Sequence, residues 1–328
     1  MCAPVATALA AAALAAALLA GCGGSSDDGN GPSDRPAPNP ADFPPANGRT
    51  LQEVLSVSSG EAPVVSPAAR VLRLGENRFA FGVFTIARDQ VTNAEVAIYA
   101  APGTGLEGTA IGPFTARIES LSTEPAFRAE TTSSDPDAAQ AIYITQIPLD
   151  KPGPWTFGAL VKEGDGYAGS LLPTPSGVGQ FDPPDVGDPA PRVHTPTADE
   201  VADISEIDTR VPPGDMHDED LADVLGRKPV VLLFATPQLC QSRVCGPVVD
   251  VAEQVKREFG DRVAFIHQEV YNDNEINKGV RPQMRAYRLP SEPWLFVIDR
   301  GGKVSTVIEG AFSVGELQDA VRRVAGGP

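Results

Sequence analysis

The chain has 328 residues, enough for two domains that each bury a hydrophobic core. Its formal net charge is −17 and its sequence pI is about 4.6. Because nucleic-acid binding needs clustered Lys and Arg against the phosphates, this acidic balance argues against a nucleic-acid partner.

An apolar run of Ala and Leu occupies residues 5–20 and leads into Leu19-Ala20-Gly21-Cys22. Such a run ending in small residues is typical of a secretory signal peptide rather than a membrane-spanning helix. Its last four residues resemble the lipobox of bacterial lipoproteins. The resemblance implies that residues 1–21 are a removed signal peptide and that Cys22 carries a lipid with palmitate-type chains. It places the mature protein on the extracytoplasmic face of the cell membrane, although no Lys or Arg precedes the run, and a plain signal peptide is the alternative.

The four cysteines divide into two groups. Cys2 lies in the predicted signal peptide, and Cys22 is the predicted lipid attachment site. Cys240 and Cys245 are then the free thiols of the mature chain. Two thiols five positions apart in an oxidising compartment are expected to form a disulfide pair.

Residues 22–48 are rich in Gly, Ser, Asp and Pro, which predicts a flexible tether. From 49 to 173 the sequence alternates between short apolar runs and turn residues, which predicts an all-β sandwich of about seven strands. The segment Asp150–Trp155 resembles the turn before a late strand in immunoglobulin-like modules. This region contains no Cys and no His, so adhesion, spacing or partner docking is its expected role.

Residues 174–213 are again rich in Pro, Asp and Gly, and they predict an inter-domain linker in which His194 is solvated. The pattern changes in the segment 214–326. Pro229–Ala235 is a continuous apolar run, typical of a strand buried on both faces. A helical pattern, two further buried runs, a short strand and a final amphipathic helix follow it. This order predicts an α/β domain with a mixed sheet.

Two segments of this domain resemble thioredoxin-like proteins. Leu233–Pro247, which contains both cysteines, is similar to the strand, redox loop and helix of that family. Ser291–Ile298 is similar to the family's cis-proline segment. The resemblance implies that Pro293 is cis and faces the sulfurs, and that Glu292 offers backbone hydrogen bonds to an extended substrate.

The position of the cysteines suggests their roles. A helix N-terminus favours the thiolate, and Cys240 lies where the strand passes to the helix, so it is the expected nucleophile. Arg243 adds positive charge nearby, and Cys245 is the expected resolving thiol. Four residues separate the cysteines where the family commonly has two. Because residues five apart in a helix point about 140° from each other, a disulfide requires Cys240 outside the helix.

The sequence therefore predicts a membrane-anchored thiol-disulfide oxidoreductase that acts on exported proteins and needs no cofactor. A Cu(I) chaperone of the same fold is one alternative, with Cys240, Cys245 and His267 as ligands and His217 as the other available imidazole. A peroxiredoxin-like peroxidase is a second, suggested by Thr236-Pro237 before the first cysteine. A binding module with a structural disulfide is the third.

Overall fold

The first half of the chain forms strands, as its alternating pattern predicts. The computed structural model describes residue 1 and the ranges 32–59, 62–172, 176–240 and 242–326. The predicted signal peptide, Cys22 and the first part of the predicted tether lie outside the described residues. The strands of this half are β1 Val64–Pro67, β2 Gly75–Phe84, β3 Val96–Pro102, β4 Ile111–Thr115, β5 Arg117–Ser120, β6 Ala141–Leu149, β7 Gly153–Glu163, β8 Gly166–Leu171 and β9 Ser176–Val178.

These strands form a sandwich of two antiparallel sheets. One sheet has the order β1-β2-β6-β5, and the other has the order β4-β3-β7-β8 with β9 paired to β7. Phe79 and Phe81 of the first sheet share a core with Ile98, Trp155 and Phe157 of the second. Phe79 and Phe81, two positions apart on β2, therefore both point into the space between the sheets.

One predicted strand of the sandwich is in fact two. Residues 114–121 have the pattern of a single short run, which predicts one strand, but β4 and β5 belong to different sheets. The chain changes sheet at Ala116, which is buried and whose N–H donates to the carbonyl of Val96 at 2.9 Å. A small residue at this corner lets the backbone pass between the sheets.

The second half contains four strands and the two longest helices of the described residues. Its strands are β10 Val230–Phe234, β11 Ala264–Gln268, β12 Trp294–Ile298 and β13 Val304–Glu309. The helices of the whole described chain are α1 Leu51–Leu55, α2 Glu130–Ser133, α3 Leu221–Val224, α4 Cys245–Phe259, α5 Pro282–Ala286 and α6 Val314–Ala325.

The sheet of the second half has the order β11-β10-β12-β13. β10 and β11 are parallel and are connected through α4, whereas β12 and β13 are antiparallel to their neighbours and are followed by α6. This is the strand order and direction of a thioredoxin-like fold, and the predicted mixed sheet is confirmed. The α4 helix ends at Gly260, whose φ of 53° is a backbone conformation that glycine adopts without strain.

The sandwich and the thioredoxin-like part pack on each other. Ile142 and Ile144 of β6 lie in one hydrophobic cluster with Val248 of α4 and Leu317 of α6. Gly31–Pro328 accordingly form one compact unit. None of the helices in the described ranges combines the length and apolar character that a bilayer crossing demands.

Two segments expected to be flexible are packed where the structure describes them. In the predicted tether, Phe43 is 3% exposed and packs against Tyr167, with tilted rings whose centroids are 5.7 Å apart. In the predicted linker, Ala190 joins the thioredoxin-like core, and its N–H donates to Gly302 at 3.0 Å. Thr195 of the same segment is fully buried. Specific partners hold these Pro-rich stretches, which composition alone does not reveal.

Candidate redox site

Cys240 and Cys245 form a disulfide, with Cα atoms 5.9 Å apart. β10 ends at Phe234, a loop follows, and Cys245 is the first residue of α4. Cys240 therefore lies outside the helix, as a disulfide at this spacing requires. The backbone N–H of Cys245 lies 3.3 Å from the Cys240 sulfur, and the Ser242 hydroxyl lies 3.2 Å from it.

This environment favours a thiolate on Cys240 once the disulfide is reduced. The unpaired N–H groups at the start of the 15-residue α4 face that end of the loop, and negative charge is stabilised there. Cys240 is 7% exposed whereas Cys245 is fully buried. An external thiol or disulfide can therefore approach the pair only at Cys240.

The sandwich holds the redox loop from outside. The carbonyl of Arg243 accepts from the N–H of Ala139 at 3.0 Å, and the Arg243 guanidinium pairs with Asp135 at 3.0 Å. Arg243 has a φ of 61°, which turns the chain into α4. The positive charge expected to act on the sulfurs is thus shared with an acidic residue of the sandwich.

The predicted cis-proline segment leads into β12, whose first residue, Trp294, pairs with Phe234 at the end of β10. The peptide bond between Glu292 and Pro293 is cis, as expected, and the Pro293 carbonyl accepts from Gly310 at 2.9 Å. The Glu292 carboxylate accepts from the Tyr271 hydroxyl at 3.3 Å. Burial raises the pKa of Glu292 above its ordinary value.

A cavity of about 550 Å³ lies between the redox loop and the edge of the sandwich. Its walls include Pro67 of β1, Phe84 of β2, Ile142 of β6, and Arg243 and Val244 of the loop. β1 is an edge strand of its sheet. The cavity is mainly apolar and gives an extended chain space beside the loop.

His267, a candidate copper ligand, is not grouped with the cysteines. The structure places it with His217 and Asp208, and the ligand atoms of these three side chains all lie within 4.8 Å of one another. Within the described ranges this is the one such group of three or more His, Cys, Asp or Glu side chains, and neither cysteine belongs to it. The predicted copper ligand set is therefore not assembled. The peroxidase alternative stays a prediction.

Asp208 holds the centre of this group. Its carboxylate accepts from the N–H groups of Arg210 and Gly214, each at 2.8 Å, and lies 3.2 Å from Nε2 of His217. Burial by itself would raise the pKa of Asp208, but the hydrogen bond to His217 and the neighbouring imidazoles bring it to about 2. Burial lowers the pKa of His217.

The helix α4, which begins at Cys245, also carries two buried carboxylates, those of Asp250 and Glu253. Asp250 pairs with Arg210 at 3.0 Å, and the same guanidinium donates to the carbonyls of Pro212 and Phe127. Burial raises the pKa of Asp250. Glu253 accepts from the N–H of Asp215 at 3.1 Å, and burial raises its pKa to about 8.

Sequence reasoning missed Asp208 and Arg210 because both lie in the segment assigned to a linker. Asp208 is one of 43 acidic residues, and nothing in its neighbourhood marks it as buried. His217 stands among acidic residues in the sequence, a pattern typical of a solvated helix start. His217 is 2% exposed, because it lies in a turn that is held against β11 where the carbonyl of Met216 accepts from the N–H of His267.

Comparisons with known proteins give limited matches. No family model matches the chain, and no curated protein matches it. Among solved structures, it is similar to a candidate thiol:disulfide interchange protein DsbE from Chlorobium tepidum, with 20% identity and a TM-score of 0.32 over 44% of this chain and 99% of that one. It is also similar to a thioredoxin-family thiol:disulfide interchange protein from Chlorobium tepidum TLS, with 20% identity and a TM-score of 0.30 over 43% of this chain and 99% of that one. The thioredoxin-like assignment rests on the sheet order and the position of the disulfide.

Proposed function

We propose that the chain is a thiol-disulfide oxidoreductase that acts on exported proteins through Cys240 and Cys245. The observation that carries the proposal is the disulfide at the start of α4, with Cys240 outside the helix and within reach of the Cys245 N–H at 3.3 Å. A thioredoxin-like sheet presents this pair at the loop after β10.

The exchange chemistry follows from the geometry. In the reducing direction the Cys240 thiolate attacks one sulfur of a substrate disulfide, and the other substrate sulfur leaves as a thiolate that takes up a proton. Cys245 then loses its proton and attacks the Cys240 sulfur, which re-forms the Cys240–Cys245 disulfide and releases the second substrate thiol. Two electrons pass to the substrate, and the reverse sequence oxidises it.

We also propose that a lipid on Cys22 anchors the protein at the outer face of the cell membrane. The support is the Leu-Ala-Gly-Cys sequence after an apolar run. The sandwich would then act as an immunoglobulin-like spacer, because its sheet orders β1-β2-β6-β5 and β4-β3-β7-β8 correspond to the ABED and C′CFG sheets of that fold. Growth with labelled palmitate should label the chain, and Cys22→Ser should abolish that label.

The reduction potential of the pair tests the exchange function. Thiol trapping in glutathione buffers of known poise measures it, with Cys2→Ser and Cys22→Ser together as the background so that only this pair titrates. A value between about −120 and −270 mV matches known catalytic pairs. Insulin reduction should then be lost in Cys240→Ser, while Cys245→Ser should accumulate a mixed disulfide with the substrate. Active Cys240→Ser would refute the proposal.

A structural disulfide in a binding module is the second candidate, and the burial of the pair favours it. Cys240 is 7% exposed, and the sandwich holds the next residues through Ala139 and Asp135. A reduction potential below about −300 mV would select this candidate. In that case Cys240→Ser should lower the free energy of unfolding, and neither the wild type nor this variant should reduce insulin.

A further inference from the structure

Asp208, His217 and His267 form a buried ligand group that the exchange chemistry does not use. Their side chains are at most 2% exposed, and their ligand atoms lie within 4.8 Å of one another. His267 lies on β11, whereas Asp208 and His217 belong to the segment that crosses beside it. Three possible metal ligands, from two parts of the chain, thus lie together in the interior.

The hydrogen bonds of His267 assign its tautomer. Its Nε2 lies 3.1 Å from the carbonyl oxygen of Ala235, which can only accept, so Nε2 carries the hydrogen. In the neutral ring, Nδ1 then presents a lone pair. Nδ1 has no hydrogen-bond partner and lies 3.6 Å from a carboxylate oxygen of Asp208, too far for a hydrogen bond. Two electron-pair donors therefore lie 3.6 Å apart among buried side chains, an arrangement that a bound cation resolves.

The groups around these side chains orient them as metal ligands are usually oriented. A metal-bound histidine generally donates its other ring N–H to a carbonyl or carboxylate, as His267 does to Ala235. The Asp208 carboxylate is fixed by the N–H groups of Arg210 and Gly214. The N–H of His267 donates to Met216 at 3.0 Å, which holds the neighbouring His217 against β11.

The charge and spacing of the group also suit a cation. Among the described residues, no side-chain nitrogen of Lys or Arg lies within 4.0 Å of the Asp208 carboxylate, because the Arg210 guanidinium is paired with Asp250. Zn²⁺ bond lengths of about 2.0–2.1 Å place neighbouring tetrahedral ligands about 3.4 Å apart. Nε2 of His217 lies 3.2 Å from Oδ2 of Asp208, and Nδ1 of His267 lies 3.6 Å from Oδ1, so each imidazole is near that distance from one oxygen of the carboxylate.

We propose that Asp208, His217 and His267 bind one divalent first-row transition-metal ion of the Zn²⁺ type. Two imidazoles and a carboxylate suit such an ion, whereas Cu(I) prefers sulfur ligands. The ion would fix the redox loop, because Ala235 precedes that loop and the Thr209 hydroxyl accepts from the N–H of Gln238 within it at 3.2 Å.

The test loads the full-length chain carrying Cys2→Ser and Cys22→Ser with Zn²⁺ while the Cys240–Cys245 disulfide is kept oxidised, so that no thiol is left to bind the ion. Because the site is buried, the chain is stripped with a chelator in denaturant and refolded with Zn²⁺ or Co²⁺. We expect one ion per chain after desalting. We also expect Co²⁺ absorption bands from nitrogen and oxygen ligands without a thiolate charge-transfer band, and a thermal midpoint that rises with free Zn²⁺.

Matched variants locate the site. His217→Gln and Asp208→Asn should weaken Zn²⁺ binding by at least the roughly 10–100-fold that loss of an outer-shell partner costs. His194→Gln is the control, since His194 is the third histidine of the chain and its side chain is 55% exposed. It should bind as the unmodified protein does, and so should the Cys240→Ser, Cys245→Ser double variant.

Zn²⁺ retention and the thermal midpoint of the wild-type protein test the proposal even if a variant fails to fold. Refolded wild type that retains no Zn²⁺ and shows no shift of its thermal midpoint would overturn the proposal, leaving a hydrogen-bonded core group. Binding that falls equally in His194→Gln, or that disappears in the cysteine double variant, would also overturn it. The exchange function is measured separately by the reduction potential, so either proposal can fail without the other.

Discussion

Asp250 and Asp208 are both 1% exposed, yet their surroundings balance them in different ways. Asp250 lies on α4 beside the Arg210 guanidinium at 3.0 Å, a complete ion pair within the protein. Asp208 is only two residues from Arg210 in sequence, but its side-chain neighbours are two imidazoles. One site carries its own cation, whereas the other offers ligands to an external one.

The difference shows that burial alone does not assign a role to a carboxylate. Removing one member of a buried pair leaves an uncompensated charge, so the Arg210 site is expected to be structural. A carboxylate placed among imidazoles with free lone pairs is instead able to bind a metal.

The largest effect is expected from Arg210→Met. It leaves Asp250 buried without its cation and frees the carbonyls of Pro212 and Phe127. We expect the free energy of unfolding to fall by about 3–5 kcal/mol, measured by urea denaturation. Adding Asp250→Asn to this variant should recover part of the loss. A double variant as unstable as the sum of both single changes would show that the pair is not coupled.

The next effect is expected at the contact between β2 and α6. Arg78 binds both carboxylate oxygens of Glu316 at 2.7 Å and donates to the carbonyl of Ala311 at 2.7 Å, with 15% of its side chain exposed. Arg78→Met should lower the free energy of unfolding by about 1.5–3 kcal/mol. The exposed pair of Arg322 and Glu258 is the control.

Arg322→Met should change the free energy of unfolding by no more than about 1 kcal/mol, because this side chain is 52% exposed. Two separate unfolding transitions in the Arg78→Met variant would show that this contact couples the sandwich to the thioredoxin-like part. No change at Arg78 would mean that the hydrophobic cluster alone joins them.

Sequence reasoning predicted the elements better than their contacts. The apolar run at β10, the position of the cysteines after it and Pro293 sufficed for the thioredoxin-like sheet, because each signal is local. The packing of the sandwich on α4 and α6 is not local. The sequence shows this packing most clearly in β6. Residues 141–144 are apolar or aromatic, and they and Thr145 are all buried, whereas a strand with one buried face would alternate between buried and exposed residues.

The candidate metal group was beyond prediction for a related reason. Its histidines are rare residues, so His217 and His267 could be noticed, but their partner Asp208 comes from a Pro- and Asp-rich stretch. Composition predicted a solvated linker there. The segment is held instead by specific bonds, such as that from the Thr209 N–H to the buried Glu269 at 2.8 Å, which only the folded chain supplies.

A pH-dependent effect is expected at Glu253. The folded protein keeps its proton to about pH 8, whereas the unfolded chain releases it near 4.5, so the folded state holds more protons in this window. Its contribution to stability is full below pH 4.5 and is lost as pH rises through 8, by up to about 1.4 kcal/mol per pH unit. Glu253→Gln should therefore gain stability over wild type as pH rises, and Glu107→Gln on the surface should not. Parallel profiles for Glu253→Gln and wild type would contradict this assignment.

The smallest effect on stability is expected from Arg243→Gln, and it separates two roles for this side chain. The guanidinium is 52% exposed and directed to Asp135, so the free energy of unfolding should change by no more than about 1 kcal/mol. The reduction potential of Cys240–Cys245 should also stay within about 30 mV of wild type, since that shift corresponds to about 1.4 kcal/mol. Asp135→Asn is the matched control, because it releases the guanidinium without removing it. A large shift of the potential in Arg243→Gln alone would mean that its charge acts on the sulfurs despite the ion pair, which is the role the sequence predicted.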